Sequence, residues 1–404
     1  MTKPTTYPSP TVPEGHRPQV VVIYHFFPHY RAAVVEALAR SQVADFTFVG
    51  DVKEYLGSVE PALLSARVRF YKAPARHVFA TWMWQWGAIM WALDRRFDTV
   101  IFHAVPHWPC TWIGAGLARI VGKRVIFWGH GYLYPPNGIK GLLRRAFYAL
   151  PHVHLTYGRL AKWIAVDAGW RPEDLHVVYN SLDNELQRKI RRQISDEDCL
   201  RLRAELFGNP LIPVIACPSR LIAVRGLNML LDAIALLREQ GLEANLLLIG
   251  DGPERQLLEA RAHQLNVRVH FEGACYDEHR IGRLLMTANV TVAPGMVGLT
   301  AIHSMTYGVP VVTHDSAKQQ MPEWETIVPN VTGALFRMGS VNSLAEVMVP
   351  WLQGVFPTSE TRQACHRMVD RIWNPNHQRI IIERAVLGLP ASDIPMDVPS
   401  PLND

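Results

Sequence analysis

Cysteine is scarce in this sequence, and its arrangement suits neither a metal site nor a disulfide framework. The 404-residue chain contains five cysteines: Cys110, Cys199, Cys217, Cys275 and Cys365. Their number is odd, and no CxxC pair occurs among them, which argues against a zinc site and against a disulfide scaffold. The pattern therefore favours reduced thiols in a cytoplasmic protein and predicts no metal.

Long apolar segments are also missing. No window offers about 20 uncharged apolar residues, which is the length that a membrane-spanning helix needs. Residues 1–17 are polar and rich in proline, without the apolar stretch of a signal peptide, and we expect them to be flexible. The sequence thus predicts neither a membrane span nor an export signal.

The charge balance excludes one class of partner and favours another. The chain has a formal net charge of +5 and a pI near 9.0, but its basic residues form no recognisable nucleic-acid-binding motif. Anionic membrane surfaces or phosphorylated substrates explain this excess more easily than nucleic acid does. The hydrophobic content of 49 % is that of a globular protein, and the length suggests about two or three domains.

Short apolar runs alternate with helical patterns in residues 18–188, which predicts an α/β domain with a doubly wound parallel sheet. We expect strands at 19–23, 46–49, 99–103, 125–128 and 154–156. Such sheets bind ligands beyond the carboxyl ends of their strands. The first strand is followed by His29, Tyr30 and Arg31. They are candidate residues for contact with a second substrate, called the acceptor side below, although the polarity of an ordinary loop explains them equally well.

Residues 77–96 are rich in tryptophan and end in two arginines. We expect a single helix here, too short to span a bilayer. A tryptophan-rich helix with basic flanks suits a shallow position in a membrane interface, which predicts membrane contact by Trp82, Trp84, Trp86 and Trp91. A buried core helix is the equally weighted alternative, because apolar residues lie all round the segment.

One histidine stands between two glycines, Gly129 and Gly131, directly after the predicted strand 125–128. His130 thus lies at the carboxyl end of a strand, on a backbone bare enough for a ligand to approach. A lone histidine is often structural, but this placement favours a functional role.

The second half repeats the α/β pattern. We expect a charged linker helix at 189–206, a second doubly wound domain at 207–352, helices at 353–388, and a proline-rich, disordered tail at 389–404.

The first strand-to-helix loop of this second domain holds Arg220 and Arg225, with no carboxylate between them. Arginine offers planar donors and a permanent charge, so the pair suits a diphosphate. Alternatively, Arg225 lies on the solvent-exposed first turn of the following helix and binds no ligand. The glycine loop at 295–300 opens onto a helix and would bring backbone amides to the same anion, although an ordinary crossover turn also accounts for its glycines.

Several motifs of the second half occur together in one order. They are Arg220-Leu-x-x-x-Arg-Gly226, Gly250-Asp-Gly-Pro253, Phe271-Glu-Gly273, Gly298-Leu299, Gly308-Val-Pro-Val-Val312 and Pro322-Glu323. In its spacings this set resembles the family-4 glycosyltransferases. The resemblance implies a GT-B fold, in which two Rossmann-like doubly wound domains face a cleft and a C-terminal helix returns to the N-terminal domain. It also implies a retaining, metal-independent transfer from a nucleotide-sugar held by the C-terminal domain.

The resemblance assigns roles to individual residues. Arg220 and Arg225 would neutralise the donor diphosphate, and His130 would face the donor sugar and support charge at its anomeric carbon. The residues expected to contact the donor are Gly226, Gly252, Glu272, Gly273, Gly295, Val297, Gly298, Leu299, Thr300, His303 and Glu323. The phosphates would be received by the amides of residues 298–300.

Two positions around the glycine loop depart from the family pattern. The family places two glutamates eight residues apart around the glycine loop, where this chain has Gly295 and His303. The second glutamate normally holds the ribose hydroxyls, and His303 would replace it as a hydrogen-bond partner. Gly295 cannot replace the first carboxylate, which lies near the sugar, and Glu323 is the candidate to supply one.

The resulting hypothesis is a glycosyltransferase that needs no cofactor and uses a UDP- or GDP-sugar as its donor substrate. We expect a glycan or lipid-linked acceptor and a peripheral position at the inner face of the membrane. Two alternatives stay open: another GT-B enzyme, such as a sugar-nucleotide epimerase, and a non-catalytic nucleotide-sugar-binding subunit. Donor hydrolysis discriminates between them, because a binder shows none and an epimerase releases an altered sugar nucleotide.

Overall fold

A computed structural model describes residue 10 and residues 17–53, 59–79, 82–132, 138–356 and 358–391. The chain divides into two compact units. Among the described residues, the first unit takes in everything up to Asp183 together with the segment that begins at Ile372, and the second extends from Asn184 to Arg371.

The first unit is built on a parallel sheet. The strands of this unit are β1 (Gln19–Phe26), β2 (Asp45–Asp51), β3 (Arg69–Lys72), β4 (Arg76–Phe79), β5 (Trp82–Trp84), β6 (Thr99–His103), β7 (Arg124–Gly129), β8 (Val153–Thr156) and β9 (Leu175–Val177). The order in the sheet is β3-β2-β1-β6-β7-β8-β9, and β4 pairs with β5 separately. Val20, Val21 and Val22 are fully buried, because strands covered on both faces need apolar residues throughout. The five strands predicted in this half are confirmed.

Helices flank this sheet, and one of them comes from the far end of the chain. They are α1 (Ala32–Ala39), α2 (Trp86–Leu93), α3 (Pro109–Ile120), α4 (Gly138–Tyr148), α5 (Arg159–Asp167) and α14 (Pro375–Val386). α14 packs against α1 and places Ile381 and Ile382 in the core of the unit. Its Glu383 accepts a 2.7 Å hydrogen bond from the hydroxyl of Ser41. The predicted return of the C-terminal helix is therefore confirmed.

The second unit has the same plan. Its described strands are β10 (Val214–Pro218), β11 (Asn245–Ile249), β12 (Val269–Gly273), β13 (Val290–Ala293), β14 (Val311–His314) and β15 (Gly333–Phe336). Its helices are α6 (Asn184–Arg191), α7 (Asp196–Phe207), α8 (Leu227–Glu239), α9 (Arg255–Gln264), α10 (Glu278–Met286), α11 (Thr300–Thr306), α12 (Val341–Leu352) and α13 (Thr358–Arg371). The sheet order is β12-β11-β10-β13-β14-β15, so the chain switches direction at β10. Doubly wound sheets bind ligands at such a switch point, beyond the carboxyl ends of the strands.

The boundary between the units lies five residues earlier than the sequence predicts. α6 and α7 both pack on α10, so the segment predicted as a linker, 189–206, belongs to the second unit. α13 contacts α11 while α14 joins the first unit, so the predicted helical segment 353–388 is divided between the two. The predicted flexible and disordered ends, 1–17 and 389–404, lie largely outside the described residues.

The tryptophan-rich segment is not the single helix that its sequence predicts. β4 and β5 form an antiparallel pair, with Arg76 opposite Trp84, and the chain is helical only from Trp86 onward. The backbone of Gln85 is extended, with φ −136° and ψ 91°, and its side-chain amide donates to Ala73 O at 2.8 Å. An all-apolar run suits a strand and a helix equally, so periodicity did not decide between them. None of the described helices combines the length and the apolar character needed to cross a bilayer.

Candidate functional site

Three loops meet at the carboxyl edge of the second sheet. Those after β10 and β11 are joined by backbone hydrogen bonds of 3.0 Å, from Leu221 N to Asp251 O and from Glu254 N to Leu221 O. The loop after β13 joins them where the hydroxyl of Thr300 donates to Pro218 O at 3.3 Å. The switch point of the sheet is thus bordered by loops that hold one another in place.

Two of these loop contacts require glycine. A Cβ at Gly252 would lie 2.4 Å from Leu221 O, and a Cβ at Gly295 would lie 2.8 Å from Val224 O. Both neighbours are backbone atoms, which cannot rotate away as a side chain would. The packing therefore leaves no room for a carboxylate side chain at position 295, which gives a physical reason for the first departure from the family pattern.

Arg225 is fixed at this edge without a carboxylate beside it. Its Nη1 donates to Met296 O at 2.8 Å, and its Nε is buried with no hydrogen-bond partner among the described residues. Arg220 is exposed, and its guanidinium forms no hydrogen bond or ion pair with any residue that the structure describes. Permanent charges left in this state are complementary to an anion.

The loop after β13 offers further donors. The amides of Gly298, Leu299 and Thr300 form no hydrogen bond within the described ranges, and Gly298 adopts a left-handed conformation with φ +52°. The amide of Val297, by contrast, donates to Oε1 of Gln320 at 3.0 Å. The three amides predicted to receive the phosphates are thus available to an anion, whereas the amide of Val297, another predicted donor contact, is occupied.

Sequence reasoning missed Gln320, which fixes this loop. Its Nε2 donates to the hydroxyl of Thr313 at 2.8 Å and to His314 O at 3.0 Å, while its Oε1 accepts the hydrogen bond from Val297. The buried side chain therefore ties the loop to β14. No local motif marks a glutamine for this role, because its partners lie 6 to 23 positions away in the chain.

His303 has a carboxylate beside it, which sequence reasoning also missed. Its Nε2 lies 2.8 Å from Oε1 of Glu278, and the same oxygen accepts hydrogen bonds from Tyr307 OH at 2.7 Å and Gln187 Nε2 at 3.1 Å. Burial acts to raise the pKa of Glu278, but the hydrogen bonds from His303 and Tyr307 outweigh burial and lower this pKa. The structure thus brings an ionised carboxylate to α11 from the neighbouring helix α10.

Glu272, a predicted donor contact, is engaged with its own neighbours. Its carboxylate lies 2.7 Å from Arg280 Nε and 3.0 Å from His270 Nε2. Hydrogen bonding from Arg280 lowers the pKa of Glu272 below its usual value. The carboxylate therefore joins β12 to α10, and it is already paired with these side chains when a sugar nucleotide binds.

The remaining predicted donor contacts occupy less informative positions. Glu323 is 2 % exposed and lies in the short 3-10 helix Pro322–Thr326. Gly226 precedes α8 at the carboxyl edge, and Gly273 ends β12. The described residues contain no group of three or more His, Cys, Asp or Glu side chains that would hold a metal ion.

A cluster of aromatic and charged side chains lies at the carboxyl edge of the first sheet. His29, Tyr30 and Arg31 form a 3-10 turn after β1. Arg31 is buried, donates to Tyr157 OH, and holds its guanidinium 5.1 Å from the ring centre of Trp128 and 4.7 Å from that of Tyr157. Of the predicted acceptor-side residues, Arg31 is thus part of this cluster, while His29 is exposed.

His130 lies next to this cluster, just beyond β7. Its ring meets the ring of Tyr157 edge-on, with centres 5.0 Å apart. Burial, and secondly the charge of Arg31, lowers the pKa of His130 to about 4. The imidazole is therefore neutral at neutral pH and offers one hydrogen-bond donor and one acceptor. A neutral imidazole acts on a nearby charge as a dipole and not as a cation.

The four tryptophans predicted to contact a membrane are not equivalent. Trp82 and Trp86 are 49 % and 66 % exposed. Trp84 is half-buried and meets Trp86 edge-on at 4.9 Å, whereas Trp91 packs on Tyr71 at 4.7 Å and against the core of the first unit. Trp82 and Trp86 therefore present apolar surface to the outside, and Trp91 serves internal packing.

Sequence comparison finds relatives for part of the chain. Residues 212–353 match the family model described as glycosyl transferases group 1. Over 117 residues, which are 28 % of this chain, the sequence is 34 % identical to a GDP-mannose-dependent alpha-(1-6)-phosphatidylinositol dimannoside mannosyltransferase of Mycobacterium tuberculosis. The alignment covers 30 % of that relative, so this chain spans less than a third of its length.

Solved structures are similar over nearly the whole chain. Anabaena HepE in complex with UDP has a TM-score of 0.66 at 15 % identity, over 92 % of this chain and 100 % of that one. The apo form of the lipopolysaccharide outer core galactosyltransferase WaaB has a TM-score of 0.64 at 13 % identity, over 91 % and 99 %. This likeness confirms the predicted GT-B fold. Residues 212–353, which match the glycosyl transferases group 1 model, lie on that fold within the second unit.

Proposed function

We propose that this protein is a retaining, metal-independent glycosyltransferase of family 4. It transfers a sugar from a nucleoside-diphosphate sugar to a hydroxyl of a glycan or lipid-linked acceptor, in the synthesis of a glycolipid or a cell-surface polysaccharide. One observation carries the proposal: Arg220 and Arg225 lie at the carboxyl edge of a group 1 domain with no carboxylate partner among the described residues.

The arginines and the loop amides suit a leaving nucleoside diphosphate. Negative charge grows on the diphosphate as the bond between the anomeric carbon and its phosphate oxygen breaks. Fixed donors stabilise this charge without having to reorganise at the moment of reaction. The amides of Gly298, Leu299 and Thr300 supplement the two arginines in this role. By analogy with oxyanion holes, removal of one such donor lowers the rate by about 10²–10³.

Retention requires that the acceptor attack from the face that the leaving group departs from. In the proposed step, the acceptor oxygen bonds to the anomeric carbon while a phosphate oxygen of the leaving diphosphate takes the acceptor's proton. No side-chain base is needed, which agrees with a glycine at position 295. The neutral imidazole of His130 supports positive charge at the anomeric carbon through its dipole.

The first unit presents a surface that suits an anionic membrane. α2 and α3 pack on each other, and α3 meets α4 where the rings of Trp112 and Phe147 lie 5.0 Å apart. Exposed apolar side chains on these three helices include Trp86, Met90, Leu117, Ile120, Leu142 and Leu143. Lys140, Arg144 and Arg145 on α4 add positive charge. Apolar side chains together with basic ones are typical of binding at an anionic interface, so we place the enzyme peripherally at the inner face of the membrane.

A panel of GDP- and UDP-sugars tests the proposal. The name of the mannosyltransferase relative gives GDP-mannose and a phosphatidylinositol dimannoside, so GDP-mannose comes first. We expect one donor to raise the melting temperature and to be hydrolysed slowly, and Arg225→Ala to lose both effects. Binding of a donor without hydrolysis would instead favour a non-catalytic binder, and release of an altered sugar nucleotide would favour an epimerase.

Vesicle flotation tests the membrane surface separately. We expect the protein to float with vesicles of phosphatidylcholine and phosphatidylserine, and less with phosphatidylcholine alone. Trp86→Ser should reduce flotation. Leu211→Ser, at a site 82 % exposed on the second unit, should leave it unchanged, and equal effects of the two substitutions would contradict the assignment of the surface.

A further inference from the structure

We propose that Arg31 and Tyr157 are positioning residues for His130, which hold its imidazole at the carboxyl edge of the first sheet and keep it uncharged. The proposal deepens the proposed function and rests on it, because it explains how the imidazole next to the donor sugar stays neutral. All three residues belong to the first unit.

The ring of Tyr157 contacts both of the other side chains. The guanidinium of Arg31 lies 4.7 Å from the centre of this ring and donates a hydrogen bond to its hydroxyl. The ring of His130 meets it edge-on, with centres 5.0 Å apart and planes at 72°. The guanidinium and the imidazole are therefore at most about 10 Å apart, a distance over which a charge still acts at physiological salt.

Arg31 is held by side chains of the two strands on either side of His130. Its guanidinium also lies 5.1 Å from the ring centre of Trp128, which is on β7 and precedes His130 by two residues. Tyr157 directly follows β8, and its hydroxyl lies 3.3 Å from that of Tyr24 on β1. Arg31 is only 7 % exposed, so it has little surface left for contact with a substrate. Its packing instead fixes Tyr157, against which His130 rests.

The neighbouring strands add no charge that replaces the charge of Arg31. Burial raises the pKa of Tyr24 on β1 well above its ordinary value, so this tyrosine is neutral. Burial also lowers the pKa of His103 on β6 well below its ordinary value, so this histidine is neutral too. His25 stacks on His103, with ring centres 5.3 Å apart.

The neighbouring helices carry charges that act elsewhere. Tyr148 on α4 donates its hydroxyl hydrogen to Gly131 O at 3.0 Å. On α5, Arg159 lies over the ring of Trp163 at 5.3 Å, and Lys162 acts on His176, whose pKa it helps to lower. The pKa of His130 is lowered by burial and, secondly, by the charge of Arg31.

The charge of His130 matters because positive charge grows at the anomeric carbon in the proposed reaction. A neutral imidazole turns the lone pair of one nitrogen toward this carbon, whereas a protonated ring repels it. The ring nitrogens of His130 form no hydrogen bond among the described residues and are not enclosed, so the lone pair is open to a substrate. A fixed cation nearby makes protonation of the ring less favourable and thus preserves the active form as the pH falls.

An NMR titration of the His130 ring tests the proposal without requiring activity. The Hε1 signal of His130, assigned by its absence from His130→Gln, is followed from pH 8 to pH 5. In the wild type we expect it to move little, because the pKa of His130 is lowered to about 4. Arg31→Met removes the charge and should raise the titration midpoint by about one pH unit, whereas Arg31→Lys keeps the charge and should stay close to the wild type.

Arg124→Met is the matched control. It removes another partly buried arginine of the first unit, at the opposite end of β7 and about 20 Å from His130, and should leave the midpoint unchanged. If Arg31→Met does not fold, Tyr157→Phe is the second variant. It removes the hydroxyl that accepts from Arg31 but keeps the ring, and it should shift the midpoint in the same direction.

The pH dependence of donor turnover is the second measurement. A midpoint near pH 5 leaves about half of His130 protonated at that pH, so the ratio of kcat/KM between the wild type and Arg31→Met should be about twofold larger at pH 5 than at pH 8. Arg31→Lys should restore the ratio of the wild type. Equal titrations of the wild type and folded Arg31→Met, or a ratio that does not change with pH, would overturn the proposal. A folded wild type that turns over no donor would overturn the proposed function itself, and the NMR titration would still decide whether Arg31 controls the charge of His130.

Discussion

Gly295→Ala tests how closely the loops after β10 and β13 pack. A Cβ at this position would lie 2.8 Å from Val224 O and 3.2 Å from Arg225 Cα. Contacts this short with backbone atoms force one of the loops to move. Overpacking of this kind costs about 1–3 kcal/mol, and each kcal/mol lowers the melting temperature of a domain of this size by about 2–4 °C. Because Arg225 belongs to the displaced loop, its hydrogen bond to Met296 should weaken as well.

Scanning calorimetry and titration with pyrophosphate measure the two consequences. We expect Gly295→Ala to melt about 2–12 °C below the wild type and to bind pyrophosphate more weakly. Gly295→Glu, which restores the residue of the family pattern, should be affected more, because a longer side chain starts from the same crowded Cβ. Gly116→Ala is the control, since a Cβ there meets nothing within 4 Å. Wild-type melting and wild-type affinity in Gly295→Ala would refute the packing argument.

Buried polar groups give two more tests. Gln320→Ala leaves the amide of Val297 without its acceptor. The KM for the sugar-nucleotide donor should therefore rise, and the free energy of unfolding should fall by about 1–3 kcal/mol. An unchanged KM in steady-state kinetics would contradict the role of Gln320. Burial lowers the pKa of His154 to about 4, from about 6.5 in the unfolded chain. Below pH 6.5 the unfolded chain therefore binds more protons than the folded one. The free energy of unfolding should fall as the pH falls toward 4. Urea denaturation between pH 7 and pH 5 should show this loss of stability. The loss should be smaller in His154→Phe than in the wild type. It should be unchanged in His279→Phe, which alters an exposed residue.

Much of the fold is predictable because its signals are local. Strands covered on both faces require continuous apolar runs, and 100–102 is such a run in the sequence and forms the middle of β6 in the structure. Arg220, Arg225 and the glycine loop could be named as candidates for the same reason, since the pattern that marks them spans only a few positions. The return of α14 to the first unit came instead from the family resemblance, because no local pattern encodes where a terminal helix docks.

Contacts between distant residues were not predictable. Glu278 precedes His303 by 25 positions, and Gln320 follows Val297 by 23. No helical or strand period links residues at such separations. The prediction of a single helix for the tryptophan-rich segment was wrong for another reason. Its apolar residues suit a helix or strands equally, and the tertiary hydrogen bond from Gln85 to Ala73, which holds the extended residue before α2, is not encoded by any local pattern.

Diphosphate binding at the carboxyl edge of the second sheet is best measured directly. Calorimetric titration of UDP and GDP compares the wild type with Arg225→Ala and with Arg268→Ala, an exposed arginine that directly precedes β12. We predict that one nucleotide binds the wild type and Arg268→Ala alike, and that Arg225→Ala weakens this binding about tenfold or more. Equal affinities of the wild type and folded Arg225→Ala would contradict a diphosphate site at these loops.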